Sequence, residues 1–393
     1  MRRRGLGLIT SSIAALVLSA CASTITDFPD VTAFDLSEDV IGIQAGVVEA
    51  ALDQKQRVDG LAWPLLAANT DLCGDLTRKA YGITFGNDET VRALVDGLTS
   101  EQVRTLGYDA SPIVLGVSDG SPAAEAGLQR GAVPVKIGET VIGGSVDAIE
   151  DALRKDRNAR AIAQKTGIVA KPLPMAFELD GAGIEFTLQP EPICDVGVRI
   201  LGTDAVNASA GRRVININRG IANYLASDRD LSIVIAHELG HVAAGHVRKL
   251  TRNNWVSGRF AWGVPLRLGA GLVDLSLGAA LERFAGWETP PGQSAVKKLE
   301  NRALGFREFE READYLAVYF AARAGVDLDG FEELFSQLAE LSIRSTYGER
   351  SHPITSERRL ALRLARDEVE AKQLAGEPLV PEGWPSSDRF EDE

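Results

Sequence analysis

The chain has 393 residues, 45% of them hydrophobic and 25% charged, which is typical of a globular protein of two or three domains. Its formal net charge of −13 argues against nucleic acid as a partner, because the phosphate backbone would repel it. Only four histidines and three cysteines occur, so a cluster of either type is informative.

The N-terminus has the pattern of an export signal. Arg2, Arg3 and Arg4 precede an uncharged, partly apolar stretch that is short for a membrane-spanning helix. The run Leu18-Ser19-Ala20-Cys21 is similar to a bacterial lipobox, which implies cleavage before Cys21 and acylation of that cysteine. The mature protein would then be lipid-anchored in the bacterial envelope, facing the periplasm, with the outer membrane favoured. The alternative is an uncleaved anchor helix.

The remaining cysteines form an even pair. With Cys21 acylated, Cys73 and Cys194 are left in an oxidising compartment. We therefore expect a disulfide between them.

The sequence pattern changes from helical to β at Ser111. Between residues 39 and 110, apolar residues recur at spacings of three and four residues, which predicts helices. Short β runs and glycine turns follow. The segment Ser121–Gly131 closely resembles the short helix and turn of bacterial PDZ domains. This resemblance implies a PDZ-like insert that binds extended peptides by strand addition. Ala132 and Gly138 depart from the usual PDZ pattern, which leaves a purely structural spacer open.

The strongest motif is His237-Glu238-Leu239-Gly240-His241, at the end of an apolar run. On a helix, His237 and His241 project from one face and can share one metal ion. Glu238 lies beside them, where a carboxylate can take a proton from water that attacks a carbonyl. The pattern predicts a hydrolase with one zinc ion per chain, and the alternative is a helix with two solvated histidines.

Two features flank this motif. Val214–Asn218 alternates apolar and polar residues, which predicts a half-buried strand, either an edge that pairs with substrate or an interior strand. His246 lies nine residues beyond His237, about half a turn away if one helix continues. We interpret His246 as a packing or supporting residue rather than a metal ligand.

A third protein ligand is needed, and the helix around residues 306–317 carries three candidates, Glu308, Glu310 and Glu312. Physical reasoning does not choose among them. Glu310 and Asp314 share a helix face, so one carboxylate could bind the metal while the other accepts an imidazole N–H.

The motifs in order resemble the HtpX and CAAX-prenyl endopeptidase family of gluzincins, especially exported lipoproteins with a PDZ insert. They are HExxH, then Glu310 and Asp314 in Glu-x-x-Ala-Asp, then Ser-His-Pro around His352, followed by Arg358. The resemblance implies zinc held by His237, His241 and Glu310, with Glu238 as the base and Asp314 behind the metal. It also implies that His352 lies near the cleft as an extra ligand or gate. Arg358 would be structural or would steady an oxyanion.

The stretch 252–300 is apolar and glycine-rich, but its uncharged runs are too short to span a bilayer. It would form a lid, a membrane-facing plate or a pair of buried helices.

We therefore predict an α+β protein with a mainly helical zincin catalytic domain, a small edge-strand sheet and a PDZ-like insert. Its substrates would be polypeptides, such as envelope or outer-membrane proteins under quality control. The rival hypothesis is a PDZ-bearing scaffold or chaperone with a latent metal site. The predicted parts are a signal peptide (1–20), a tether (21–38), the first part of the peptidase domain (39–110), the PDZ-like domain (111–190), the zinc peptidase domain (191–375) and a flexible acidic tail (376–393).

Overall fold

A computed structural model describes residues 37–95, 97–249, 293–344 and 356–385. Residues from Ile41 onward form one compact unit, and Met1–Val40 is assigned to another. Several predictions lie outside the described residues: the signal peptide with Cys21, almost all of the tether, most of the apolar stretch 252–300, His352, and residues 386–393 of the tail.

The fold is α+β, as predicted. The helices are α1 Ser37–Ala68, α2 Asp88–Leu94, α3 Ser100–Thr105, α4 Pro122–Glu125, α5 Val146–Thr166, α6 Arg219–Tyr224, α7 Asp228–Ala243, α8 Gln293–Arg323, α9 Phe331–Arg344 and α10 Ser356–Ala375. The strands are β1 Thr77–Ala80, β2 Ile83–Gly86, β3 Ile113–Val117, β4 Val133–Ile137, β5 Thr140–Val141, β6 Leu173–Leu179, β7 Ala182–Leu188, β8 Glu191–Cys194, β9 Gly197–Leu201, β10 Ala208–Ala210 and β11 Val214–Asn218. None of the described helices is long and apolar enough to cross a lipid bilayer.

Two hydrophobic clusters organise the described residues. The first joins α1, α7 and α8 through buried side chains such as Leu52, Ile235 and Phe320. The second lies among the strands between β2 and β7 and includes Phe177, with Phe85 packed against it. The first cluster thus contains the core helices α1, α7 and α8, and the second contains strands β3, β4, β6 and β7 together with α5.

The chain passes between the two clusters more than once. Strand β2 packs in the second cluster, whereas Val91 of α2 and Val103 of α3 belong to the first. The chain then returns to the second cluster at Val114 of β3. The predicted domain start at residue 111 stays a prediction, but β2 lies before it and shares the second cluster.

Strands β1 and β8 pair antiparallel, from Thr77 opposite Cys194 to Ala80 opposite Glu191. Cys73 and Cys194 form a disulfide across 121 residues of sequence, at one end of this pair. The disulfide thus links the segment before β1 to the end of β8.

The three-stranded sheet beside α7 has the order β10-β11-β9. Strand β11 is antiparallel to β10 and parallel to β9, so it is the central strand. Of the two alternatives for Val214–Asn218, the edge strand is therefore wrong and the interior strand is the one that the structure shows. The alternation of apolar and polar residues indicates that one face of the strand is buried, and Ile215 and Ile217 are indeed buried. It does not indicate which strands pair on either side.

Candidate metal centre

Helix α7 presents the HExxH residues. The Ser227 side chain caps its first turn by accepting from the Asp230 N–H, and the residues from Leu231 to Val242 are all buried. Helix α7 is therefore part of the core, and its HExxH side chains are held by a buried, well-packed helix.

The start of α7 is also held from α1. Arg57 on α1 forms an ion pair of 2.6 Å with Asp228. The same guanidinium donates to the carbonyls of Ala222 at 2.9 Å and Leu225 at 2.8 Å, in the segment that leads into α7. These bonds connect the position of α7 to the longest described helix.

Three side chains converge between α7 and α8. The Nε2 atoms of His237 and His241 are 3.2 Å apart, and oxygens of Glu310 lie 3.5 Å and 3.4 Å from them. All three residues are buried, and they form the one group of potential metal ligands found among the described residues. The triangle brings together three residues from two distant segments.

The dimensions of this triangle fit a zinc ion. Corners of a tetrahedron with metal–ligand distances of about 2.0–2.1 Å lie roughly 3.3–3.4 Å apart. The two Nε2 atoms are 3.2 Å apart, and each lies 3.4–3.5 Å from one of the two carboxylate oxygens of Glu310, so the separations are close to that value. Two imidazoles and one carboxylate are also a ligand set of catalytic zinc sites, which leave the fourth position open.

Asp314 supports His237 from the opposite side of the ring. Its Oδ1 lies 3.0 Å from Nδ1 of His237, so that nitrogen donates to the carboxylate and Nε2 is left for a metal. Arg358 donates to Asp314 through two nitrogens, at 2.7 Å and 2.8 Å, and is buried. Burial would raise the pKa of Asp314, but the charge of Arg358 and the hydrogen bond from His237 hold it below its ordinary value.

The site favours positive charge. Burial lowers the pKa of His237, but hydrogen bonds to Asp314 and Glu310 outweigh it and raise the pKa to about 10. The two carboxylates thus stabilise a proton between them in the metal-free protein. A divalent cation in place of that proton would be stabilised by the same charges.

Among the three candidate glutamates, only Glu310 contacts both histidines. Glu308 is exposed and pairs with Arg311 at 3.3 Å. Glu312 points to His246, with 2.9 Å between Oε2 and Nε2. Arg358 also lies 3.3 Å from Glu310, so its guanidinium is directed at the two carboxylates of the site.

His246 occupies a position that the sequence did not predict. Helix α7 ends at Ala243, and Gly245 adopts a left-handed conformation with φ of +67°. This turn carries His246 back to His241, with 2.9 Å between their Nδ1 atoms. Burial lowers the pKa of His246, and the hydrogen bond from His246 lowers the pKa of Glu312. The signal available in the sequence was Gly245, eight residues after His237, because glycine is common where a helix ends.

A buried group of two histidines and a glutamate, on two packed helices with a second glutamate beside the first histidine, forms a candidate metal site. Residues 188–365 match the sequence profile of peptidase family M48. The matched region contains all of the ligands described above.

The chain is similar to a curated metalloendopeptidase. It is the mitochondrial metalloendopeptidase OMA1 of Arabidopsis thaliana, 25% identical over 255 residues, or 64% of this chain and 44% of that protein. The chain therefore spans less than half the length of this relative. The family match and the His-His-Glu group thus fall in the same part of the chain.

A solved structure is also similar, the HtrA3 PDZ domain bound to a phage-derived ligand (FGRWV). It is 18% identical and covers 30% of this chain and 88% of its own. Its TM-score of 0.20 is too low to indicate a shared fold.

Proposed function

We propose that this protein is a zinc-dependent endopeptidase that cleaves polypeptides in the bacterial envelope, as part of protein quality control. The observation that carries the proposal is the buried triangle of His237, His241 and Glu310, with Glu238 next to the first histidine on α7. The family match over residues 188–365 supports the same reaction class.

His237, His241 and Glu310 would hold the zinc ion. When bound, zinc supplies a Lewis acid that polarises water and a peptide carbonyl. Glu238 acts as the general base, taking a proton from the attacking water and passing it to the departing amine. Asp314 holds the His237 ring so that its Nε2 faces the ligand triangle.

Substrate backbone would pair with β10 rather than β11. Among the described residues, β10 is an outer strand of its sheet, whereas β11 is enclosed on both sides. Strand β10 packs against α7, which carries Glu238 and two of the ligands. An extended peptide added at that edge would run beside the catalytic helix.

The second hydrophobic cluster is the proposed PDZ-like module, including β2 as well as residues 111–190. Its core, built around Phe177 and Val114, is separate from the cluster around α7. We propose that it selects extended segments of substrates.

The envelope location is proposed from the N-terminal sequence alone. Acylation of Cys21 would attach the protein to a membrane. Replacing Cys21 with serine should release the protein into the soluble fraction, and unchanged membrane fractionation of the Cys21→Ser variant would argue against the anchor.

The experiment that tests the enzyme is Glu238→Gln, measured on an unfolded protein substrate that the wild type cuts. Glutamine is close in size but cannot accept the proton, so turnover should fall at least about a hundredfold while zinc content and folding are retained. Exposed Glu308 is the matched control, since Glu308→Gln changes the same charge away from the ligand triangle. An unchanged rate for Glu238→Gln would favour the scaffold hypothesis.

A further inference from the structure

Helix α7 does not continue through His246. Ala244 is the C-cap of the helix, and Gly245 then takes a φ of +67°, a left-handed conformation that ends the helix. The His246 ring consequently packs edge-on against His241, with ring centroids 4.9 Å apart. A residue that a straight helix would carry to the far side thus lies directly behind a proposed metal ligand.

The contact between the two rings has only one consistent proton arrangement when Nε2 of His241 faces a metal. That nitrogen must be unprotonated, so Nδ1 of His241 carries the proton. Its neighbour at 2.9 Å is Nδ1 of His246, which must accept. Neutral His246 then carries its own proton on Nε2.

Glu312 completes the arrangement. Its Oε2 lies 2.9 Å from Nε2 of His246, where it accepts the second proton. Phe309 stacks on the His246 ring with centroids 4.4 Å apart and planes at 20°. The His246 side chain is only 1% exposed, so its ring is fixed on both its edges and its face.

We propose that His246 and Glu312 are positioning residues that hold His241 in the tautomer and orientation needed to bind the metal. His241 would donate through Nδ1 to His246, and His246 would donate through Nε2 to Glu312. The arrangement parallels the one at the other histidine, where Asp314 accepts from Nδ1 of His237. The Nδ1 atom of each of the two imidazoles then has its own hydrogen-bond acceptor. The inference rests on the proposed metal site.

The test is the zinc affinity of the purified protein, measured by competition with a chromophoric chelator, together with the spectrum of the cobalt-substituted protein. His246→Phe keeps an aromatic ring for stacking on Phe309 but removes the acceptor for His241. We expect its zinc affinity to fall about 10–100-fold, the usual effect of losing a group that orients a ligand. The cobalt absorption bands should shift as well, because the orientation of one imidazole changes.

Glu312 provides a second pair of variants, which does not depend on how well the buried ring is replaced, because its side chain is 43% exposed. Glu312→Gln retains an oxygen that can accept from His246, so zinc affinity should stay within about threefold of the wild type. Glu312→Leu has a similar size but no acceptor, and affinity should fall about tenfold. Glu308→Leu, on the exposed face of α8, is the control and should bind zinc normally.

Two failures are distinguishable. Wild-type protein that takes up no zinc would overturn both the proposed function and this inference. Normal zinc uptake by the wild type, with affinity unchanged in folded His246→Phe or equal in Glu312→Gln and Glu312→Leu, would overturn this inference alone. An affinity loss in His246→Phe and Glu312→Leu, with rescue in Glu312→Gln, would support it.

Discussion

Gly240 on α7 lies against the backbone of Ala313 on α8. A Cβ atom at Gly240 would come within 2.9 Å of the Ala313 carbonyl oxygen and 3.2 Å of its Cα. His241 follows the glycine and Asp314 follows the alanine, so the backbones of the two helices are in close contact next to the residues of the site. The absence of a side chain at position 240 therefore sets how near Glu310 can come to the histidines.

We expect Gly240→Ala to weaken zinc retention and to destabilise the protein. The added methyl group forces α8 away, at a cost of about 1–3 kcal/mol that exceeds the roughly 1 kcal/mol gained in helix propensity. Zinc content after dialysis and urea unfolding would measure both effects. Gly46→Ala is the matched control, because a Cβ there meets nothing within 4 Å. Equal behaviour of the two variants would contradict the packing argument.

The third ligand can be identified by metal content. Glu310→Gln should lose most of its zinc, since an amide oxygen is neutral and a weak ligand for the ion. Glu308→Gln, two residues away on the exposed face, should retain one zinc per chain. Metal analysis of the two purified proteins decides the point. If Glu308→Gln loses zinc and Glu310→Gln does not, our assignment of the ligand is wrong.

Arg358 compensates the charge of a buried carboxylate, and its removal should strongly destabilise the protein. Arg358→Met leaves Asp314 without its guanidinium partner, and we expect a loss of about 3–5 kcal/mol in the free energy of unfolding of chelator-treated protein. The double variant Arg358→Met with Asp314→Leu should recover much of this loss, because no unpaired charge remains buried.

Arg363 on the same helix provides the control for that measurement. Its side chain is 52% exposed, and its buried partner Glu332, at 3.4 Å, also pairs with Arg366 at 3.2 Å. Arg363→Met should therefore cost less than about 1 kcal/mol. A double variant no more stable than Arg358→Met would show that Arg358 stabilises the protein in another way.

The two hydrophobic clusters should respond separately to core mutations. Phe177 is buried in the second cluster and Phe320 in the first, and replacing either with alanine should cost roughly 3–5 kcal/mol. We expect Phe177→Ala to make residues 111–190 sensitive to added protease while zinc stays bound. Phe320→Ala, on the ligand-bearing helix α8, should lose zinc. Loss of zinc from a folded Phe177→Ala protein would argue against an independent second cluster.

The composition and motifs were sufficient to predict an α+β fold, and they indicated His237 and His241 as candidate metal ligands, which the structure brings together with Glu310. Helical spacing is a local property, so residues four apart share a face whatever the rest of the chain does. The same local rule placed Glu310 and Asp314 on one face of α8, and the even cysteine pair led to the disulfide that the structure contains.

Other features depended on contacts between distant segments. Three glutamates on one helix are equivalent until α8 packs on α7, and then Glu310 alone contacts both histidines, while Glu312 contacts His246. Strand β11 is central because β9 and β10 pair with it, and alternation of residue types cannot encode lateral neighbours.

The position of His246 was decided only by tertiary structure. A continuing helix would place His246 on the opposite side of the helix from His237, but the left-handed conformation of Gly245 ends the helix before it. A glycine permits that turn without specifying the direction of the chain beyond it. The direction follows from Phe309 and Glu312, more than sixty residues later, which give the imidazole a stacking surface and a hydrogen-bond acceptor next to His241.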